Sequence, residues 1–297
     1  MLEKLGFLIA LAREKHFGRA AESCGVAQAT LSQGIQQLEE DLNVKLVLRS
    51  SRFLGLTPDG ERVLIWARRL VGDAHAMRQE ILGLKAGAGH HLRLAVMPAA
   101  MPIVASVTAP VLLHHPTVHF TLLTRTSDEI ATQIDQREID AGICYIGHQP
   151  RPEVEEIPLF REDYVLLTTA HGSFGASDQV TWAQLSGLPL CLLTPNLQQR
   201  RIIDSTLRTV GVSVQPMMET DSILALISHV LTGNWVSVLS RLTLEAIEVS
   251  RNLRAVPIVE PKVSHLIGLV VSKRFPMQAP MALLMQEARK LHDLPRA

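Results

Sequence analysis

Residues 17–42 constrain the fold of this chain more than any other stretch, because they combine two short helical segments with one tight turn. Gly25 lies between the segments and supplies the backbone freedom that a tight turn needs. Ala20 and Ala21 are small enough to let two helices cross closely. After the turn, apolar residues recur at helical spacing on one face and polar residues occupy the others; the apolar set is Leu31, Ile35, Leu38 and Leu42. The stretch predicts a helix-turn-helix whose polar face contacts DNA.

A wider set of positions resembles the amino-terminal signature of LysR-type transcriptional regulators. The set comprises Ala20, Ala21, Val26, Leu31, Ser32, Ile35, Leu38, Glu39, Leu42, residues 44–46 and residues 56–60. The resemblance implies a winged helix-turn-helix over 1–57, a linker helix and hinge over 58–89 that pairs two subunits, and an effector-binding domain over 90–297. It also implies a regulator without enzymatic activity that binds double-stranded promoter DNA as a dimer or a dimer of dimers, responds to a small-molecule effector and contacts RNA polymerase.

The polar face after the turn supplies most of the predicted DNA contacts. Gln28 and Gln33 can pair with adenine edges, and the methyl group of Ala29 can meet a thymine methyl. Relatives usually carry a Ser, a Pro and an Arg where this chain has Ala27, Ala29 and Gln33, so we expect a site rich in A·T contacts. The whole predicted set is Gln28, Ala29, Thr30, Ser32, Gln33 and, in the wing, Arg49 and Arg52. The alternative for the glutamines is a merely solvated helix face.

A long helix is predicted after Thr57, a suitable N-cap, with Pro58 in the first helical position. Its apolar residues alternate at spacings of four and three, which is typical of a coiled-coil seam. The predicted dimerisation residues are Val63, Leu70, Met77, Ile81 and Leu84. Packing of this stripe on its own chain is the alternative. The Ala-Gly-Ala-Gly run at 86–89 is expected to end the helix.

From residue 90 onward, short apolar runs rich in β-branched residues alternate with helical segments, which predicts an α/β domain with largely parallel strands. Members of the resembled family fold this region as two subdomains like those of periplasmic binding proteins. The resemblance places subdomain I at about 90–161 and 265–297 and subdomain II at about 162–264, with the effector in the cleft between them.

Three predicted strand-to-helix loops carry hydroxyl and amide side chains, and helix N-termini at strand ends favour anions. We therefore expect a compact organic or inorganic anion as the effector. The predicted contacts are Ala99, Ala100, Thr126, Ser127, Thr194, Asn196 and Thr220. Because the first loop, 97–102, is entirely apolar, contact on that side is expected to be apolar or through backbone N–H groups. The alternative is that the polar residues only cap their own helices.

Composition is consistent with this prediction but does not select it. Lys and Arg together equal Asp and Glu at 29 each, so binding to DNA must come from local charge and from paired subunits. No run approaches the roughly 18 apolar residues that span a bilayer, and three scattered cysteines favour a reducing, cytoplasmic setting. No metal, cofactor or catalytic motif is recognisable. Two other functions stay open: an architectural DNA-binding protein with a vestigial cleft, and a solute-binding or enzymatic module with an attached helix-turn-helix.

Overall fold

Two units of the chain fold around separate cores. In the computed structural model the described residues are 1–49, 53–86, 90–147, 151, 153–246, 252–273 and 277–293. The first unit comprises residues 1–90 with 135–138, and the second comprises 91–134 and 139–297.

The first unit is a helical domain with a short β-hairpin. Its elements are α1 (Leu2–Glu14), α2 (Phe17–Ser23), α3 (Gln28–Leu42), β1 (Val47–Arg49), β2 (Phe53–Leu56) and α4 (Pro58–Ala86). Leu31, Ile35 and Leu38 of α3 are fully buried, as their spacing predicts, whereas Leu42 at the end of the helix is 38% exposed. Gly34 allows close packing of α1 on α3, since a Cβ there would lie 2.6 Å from the ring of Phe7.

Local interactions fix the turns of this unit. Gly25 has a φ of +68°, which confirms the need for glycine in the turn between α2 and α3. Ala27 is the N-cap of α3 and provides no side-chain cap. Thr57 caps α4 as predicted: its Oγ1 accepts a hydrogen bond from the Gly60 amide at 2.9 Å and donates one to the Lys45 carbonyl at 2.6 Å.

A buried carboxylate joins α3 to the hairpin. Glu39 is 3% exposed, and its Oε1 accepts hydrogen bonds from the backbone amides of Leu46 at 2.9 Å and Val47 at 3.2 Å. Two amides that would otherwise be buried without partners are thereby satisfied. The position of β1 relative to α3 depends on this side chain.

The second unit is built on a ten-stranded sheet with helices on its faces. The strands are β3 (His91–Val96), β4 (His119–Thr124), β5 (Ala141–Tyr145), β6 (Val154–Thr169), β7 (Val180–Thr181), β8 (Leu190–Leu193), β9 (Met218–Thr220), β10 (Val236–Ser240), β11 (Leu253–Val259) and β12 (Ser264–Ser272). The helices are α5 (Ala105–His114), α6 (Ser127–Asp135), α7 (Gln198–Thr209), α8 (Ile223–Leu231), α9 (Arg241–Ala246) and α10 (Ala279–Asp293). Short 3-10 helices span Pro98–Ile103 and Trp182–Leu185.

The order of the main strand path is β4-β3-β5-β12-β6-β10-β8-β9, with β11 beside β6 and β7 beside β11. The long strand β6 pairs with β12 up to Asp163 and with β10 and β11 from Tyr164 onward. It therefore runs through two halves of the sheet, each with its own hydrophobic core.

The strands are not as uniformly parallel as the sequence predicts. The pairs β3–β4, β3–β5, β8–β9 and β8–β10 are parallel, but β6 and β12 run antiparallel to their neighbours. These two strands carry the chain between the halves, so they do not belong to strand-helix-strand repeats, which is the pattern that imposes parallel pairing.

Candidate functional sites

The first half of α3 presents an amide- and hydroxyl-bearing surface. Gln28, Ala29, Thr30 and Gln33 are exposed, and Ser32 is half-buried. The buried residues of the same helix anchor it in the core, so this face is held rigidly toward solvent. Of the two predicted wing residues, Arg49 ends β1 and Arg52 lies outside the described residues.

The predicted dimerisation residues on α4 divide into two groups. Val63 packs partly against the core of its own unit, beside the buried Leu64 and Ala67. Leu70, Met77 and Ile81 are instead 46%, 55% and 46% exposed, and the side chain of Leu84 lies outside the described set. The start of the stripe is therefore intrachain packing, and only its later part is an exposed apolar face, which the exposed Trp66, four residues before Leu70, extends.

A small cleft lies in the second unit, where strand ends meet helix N-termini. It is lined by Met97, Pro98, Ala99, Thr126, Ser127, Tyr145, Leu193, Leu197, Gln198 and Gln199. These residues follow or end β3, β4, β5 and β8 and precede or begin α6 and α7. None of the described lining residues is charged, so the cleft offers hydroxyl, amide and apolar groups.

Three of the seven predicted effector contacts line this cleft, namely Ala99, Thr126 and Ser127. Ala100 is fully buried and is not in the lining set. Thr194, Asn196 and Thr220 also lie outside that set. The backbone amide of Thr194 donates to the Thr220 carbonyl at 3.0 Å, so these two residues join neighbouring strand ends.

Two of the predicted hydroxyl groups, those of Thr126 and Thr220, are used in local hydrogen bonds. Thr126 Oγ1 accepts from the Glu129 amide at 3.2 Å, while a Glu129 carboxylate oxygen accepts from the Thr126 amide at 2.7 Å. This reciprocal pair is a capping box at α6. Thr220 Oγ1 accepts from the Ser222 amide at 3.1 Å, and Ser222 Oγ caps α8. The Thr126 hydroxyl therefore caps its own helix, as the alternative expects, whereas the Thr220 hydroxyl bonds to the residue that caps α8.

A buried carboxyl group lies next to the cleft, where β6 passes between the halves. Glu162 is fully buried and accepts hydrogen bonds from the hydroxyl of Tyr145, which lines the cleft, and from that of Tyr164 at 2.7 Å. Burial raises the pKa of Glu162 to about 7, although the two hydroxyl donors partly offset that effect. The carboxyl group thus changes charge near neutral pH.

Two family models cover most of the chain. The model described as "Bacterial regulatory helix-turn-helix protein, lysR family" matches residues 2–61, and the "LysR substrate binding domain" model matches residues 85–293. The chain belongs to the LysR family of transcriptional regulators. It is therefore a DNA-binding transcriptional regulator with an effector-binding domain, which confirms the family and function predicted from the sequence and favours them over the two alternatives.

Named relatives and solved structures agree with this membership. The chain is 24% identical to the DNA-binding transcriptional dual regulator OxyR of Escherichia coli K12, over 98% of this chain and 96% of that protein. It is 26% identical to the HTH-type regulator YfeR of Shigella flexneri, over 87% and 85%. A full-length OxyR structure from Pseudomonas aeruginosa superposes with a TM-score of 0.70 at 25% identity, over 97% and 94% of the two chains. The structure of CbnR with its target DNA is similar in fold, with a TM-score of 0.64, 20% identity and 98% and 99% coverage.

Met97 and Pro98 belong to the apolar first loop that the sequence placed at this LysR-family cleft, but sequence reasoning missed five other lining residues: Tyr145, Leu193, Leu197, Gln198 and Gln199. Tyr145 and Leu193 end apolar strands, so in the sequence they resemble core residues. Gln198 and Gln199 look like surface residues of a polar helix, yet Gln199 is only 4% exposed. The one available signal was the predicted start of α7 directly after a strand, since strand ends and helix starts form such clefts.

Cationic side chains near the cleft are already paired. Arg200 bonds to Asp204 at 2.8 Å, Glu219 at 2.6 Å and the Leu193 carbonyl at 2.6 Å. Arg201 bonds to Asp128 at 2.9 Å, which connects the first turns of α6 and α7. The local positive charge is therefore largely neutralised.

Among the described helices, none is long and apolar enough to cross a membrane.

Proposed function

We propose that this LysR-family regulator reads promoter DNA through the exposed first half of α3 and that a small molecule in the cleft of the second unit controls its activity. The observation that carries the DNA part is the division of α3 into a buried apolar face and an exposed face with Gln28, Thr30 and Gln33. Glutamine amides can bond to adenine in the major groove, where each base pair presents a distinct pattern.

Self-association follows from the exposed apolar face of α4. Leu70, Met77 and Ile81 lie four or seven residues apart, as in a helix pair, and each exposes about half of its side chain. Burying such a face against a second copy removes apolar surface from water. We propose a dimer through this face, a dimer of dimers at the promoter and contact with RNA polymerase, in the cytoplasm where promoter DNA is transcribed.

The cleft fits a small effector better than a catalytic role. Its described lining residues include no charged side chain and no paired nucleophile and base. Leu197 provides no side-chain cap for α7, so the first N–H groups of that helix and its dipole are the available partners for the anionic effector that the sequence suggests. We therefore propose ligand binding without turnover.

Several relatives are named hydrogen peroxide-inducible genes activators, but a thiol sensor is not supported in this cleft. Cys144 and Cys191 are buried. Burial raises the pKa of the Cys144 thiol to about 12 and also raises the pKa of Cys191. Since the thiolate is the reactive form, we propose that signalling here depends on a bound molecule and not on oxidation of these two cysteines.

A binding assay on the DNA upstream of the chain's own gene and its neighbours tests the DNA proposal. The double variant Ser32→Ala, Gln33→Ala should lose specific retardation while circular dichroism and molar mass stay unchanged. Glu40→Ala, an exposed change at the far end of α3, is the matched control and should retain binding. Unchanged specific binding by the double variant would show that α3 does not read the operator.

A thermal-shift screen of small organic acids, amides, sugars and amino acids tests the effector proposal. We expect at least one compound to stabilise the full-length protein and to change its operator affinity, and linkage requires the operator to change the compound's affinity by the same factor. Ala99→Leu should block the compound by filling the cleft. If every compound leaves both stability and operator affinity unchanged, the cleft is not an effector site for these classes.

A further inference from the structure

One side chain in the cleft is buried without the partners that its chemistry requires. Gln199 is 4% exposed, and within the described structure neither its Oε1 nor its Nε2 has a hydrogen-bond partner. A buried amide without partners is costly because it has lost its bonds to water and gained none. Such groups number only a few per 100 residues in native proteins, and each requires an explanation.

The position of Gln199 indicates where the missing partner comes from. It lies in the first turn of α7 and lines the cleft together with Ser127 and Tyr145. The amide atoms are shielded from bulk solvent, so a partner has to enter through the cleft. Because an amide has an acceptor and a donor side by side, one planar group can satisfy both only if it presents a neighbouring donor and acceptor.

The surroundings limit what such a group can be. The guanidinium groups of Arg200 and Arg201, the next two residues of α7, are bonded to carboxylates, so their charge is already neutralised and attracts an anionic ligand group only weakly. A carboxylate on the ligand would accept from Nε2 but leave Oε1 without a donor. A carboxamide satisfies both atoms of Gln199 at once.

We propose that the effector carries a carboxamide or cyclic amide group that forms a paired hydrogen bond with Gln199. The cleft is small, so the ligand is a small metabolite. Its remaining atoms pack on Met97, Leu193 and Leu197, and an anionic group faces the first turn of α7. This inference rests on the proposed effector function of the same cleft.

A series of compounds with one skeleton tests the inference: succinamate, which has one amide and one carboxylate, succinate, which has two carboxylates, and succinamide, which has two amides. The pair benzamide and benzoate repeats the comparison with a ring. Calorimetric titration of the full-length protein should show that succinamate binds about tenfold more tightly than succinate, which corresponds to about 1.4 kcal/mol. Benzamide should be favoured over benzoate in the same direction.

The variant Gln199→Leu should remove the preference for amides and bring succinamate to the affinity of succinate. Gln198→Leu, which changes an adjacent lining residue by the same substitution, should retain the preference. The amide assignment is wrong if the wild type binds acids as tightly as amides or more tightly. It is also wrong if only Gln198→Leu loses the preference, or if no member of the series binds. The effector function itself fails only if the broad thermal-shift screen also yields no compound that alters operator binding.

Discussion

The substitution Glu162→Gln should change how the stability of the second unit depends on pH. The carboxyl group is fully buried between two tyrosine hydroxyls, and burial raises its pKa from an ordinary value of 4.5 to about 7. Between these two values the folded protein holds a proton that the unfolded chain releases. Stability from this group is therefore greatest at acid pH and declines as pH rises toward 7, after which it levels off.

The size of the effect follows from the two pKa values. The full separation of the two pKa values corresponds to about 3 kcal/mol of unfolding free energy. Between pH 5 and pH 8 the wild type should lose roughly 2–3 kcal/mol of it. Glutamine cannot ionise, so the variant lacks this decline. Its amide nitrogen has to replace one carboxylate oxygen in a buried site, but that cost does not change with pH. Between pH 5 and pH 8 the unfolding free energy of the variant should therefore rise by about 2–3 kcal/mol relative to that of the wild type.

Urea unfolding of the full-length protein at fixed concentration measures this shift. A Trp66→Phe background leaves Trp182 and Trp235 as the fluorescent reporters, and both lie in the second unit. The matched control is Glu155→Gln, the same substitution at a half-buried position on the same strand, where the carboxylate pairs with Arg289. If the difference between Glu162→Gln and wild type is the same at pH 5 and pH 8, the carboxyl group is not protonated near neutrality and the argument is wrong.

Three further outcomes are expected. Burial raises the pKa of Tyr145 and Tyr164 well above 10, and they are the only two tyrosines in the sequence. Tyrosinate absorbance should therefore stay absent at pH 11 until the protein unfolds. A normal titration near pH 10 in the folded protein would contradict this. Glu39→Ala should lower unfolding free energy by roughly 2–4 kcal/mol because two buried amides lose their acceptor, whereas Glu39→Gln should lose less in the same urea titration. The double variant Leu70→Glu, Met77→Glu should have a lower molar mass by light scattering than the wild type, whereas Arg78→Ala should keep the wild-type mass. An unchanged mass for the double variant would argue against the α4 interface.

Much of the first unit could be predicted because its signals are local. The glycine turn, the Thr57 cap and the helical spacing of Leu31, Ile35 and Leu38 each involve residues within a few positions of one another. The limit of this reasoning appears at Val63. Spacing along α4 assigns it to the same stripe as Leu70, but only the packed structure shows that it contacts the core of its own chain.

In the second unit the sequence predicted the strands that are continuously apolar and missed those that are not. The first half of β6, residues 154–163, contains five charged residues and a proline, so it lacks the pattern of a buried strand. Its pairing with β12 brings these residues into the sheet nonetheless. The antiparallel direction of β6 and β12 also depends on the path of the chain between the halves, which composition and periodicity do not encode.

The family, the helix-turn-helix and the alternation of strands and helices were thus determined by the sequence alone, because repeated side-chain patterns reflect the faces that helices and strands bury. The cleft was decided by tertiary structure. Tyr145, Glu162 and Gln199 come from three distant segments, and their meeting depends on strand order and register. The same packing leaves the Thr126 and Thr220 hydroxyls in local hydrogen bonds and leaves the Gln199 amide without a partner, since hydrogen-bond satisfaction depends on which groups the fold brings within about 3 Å.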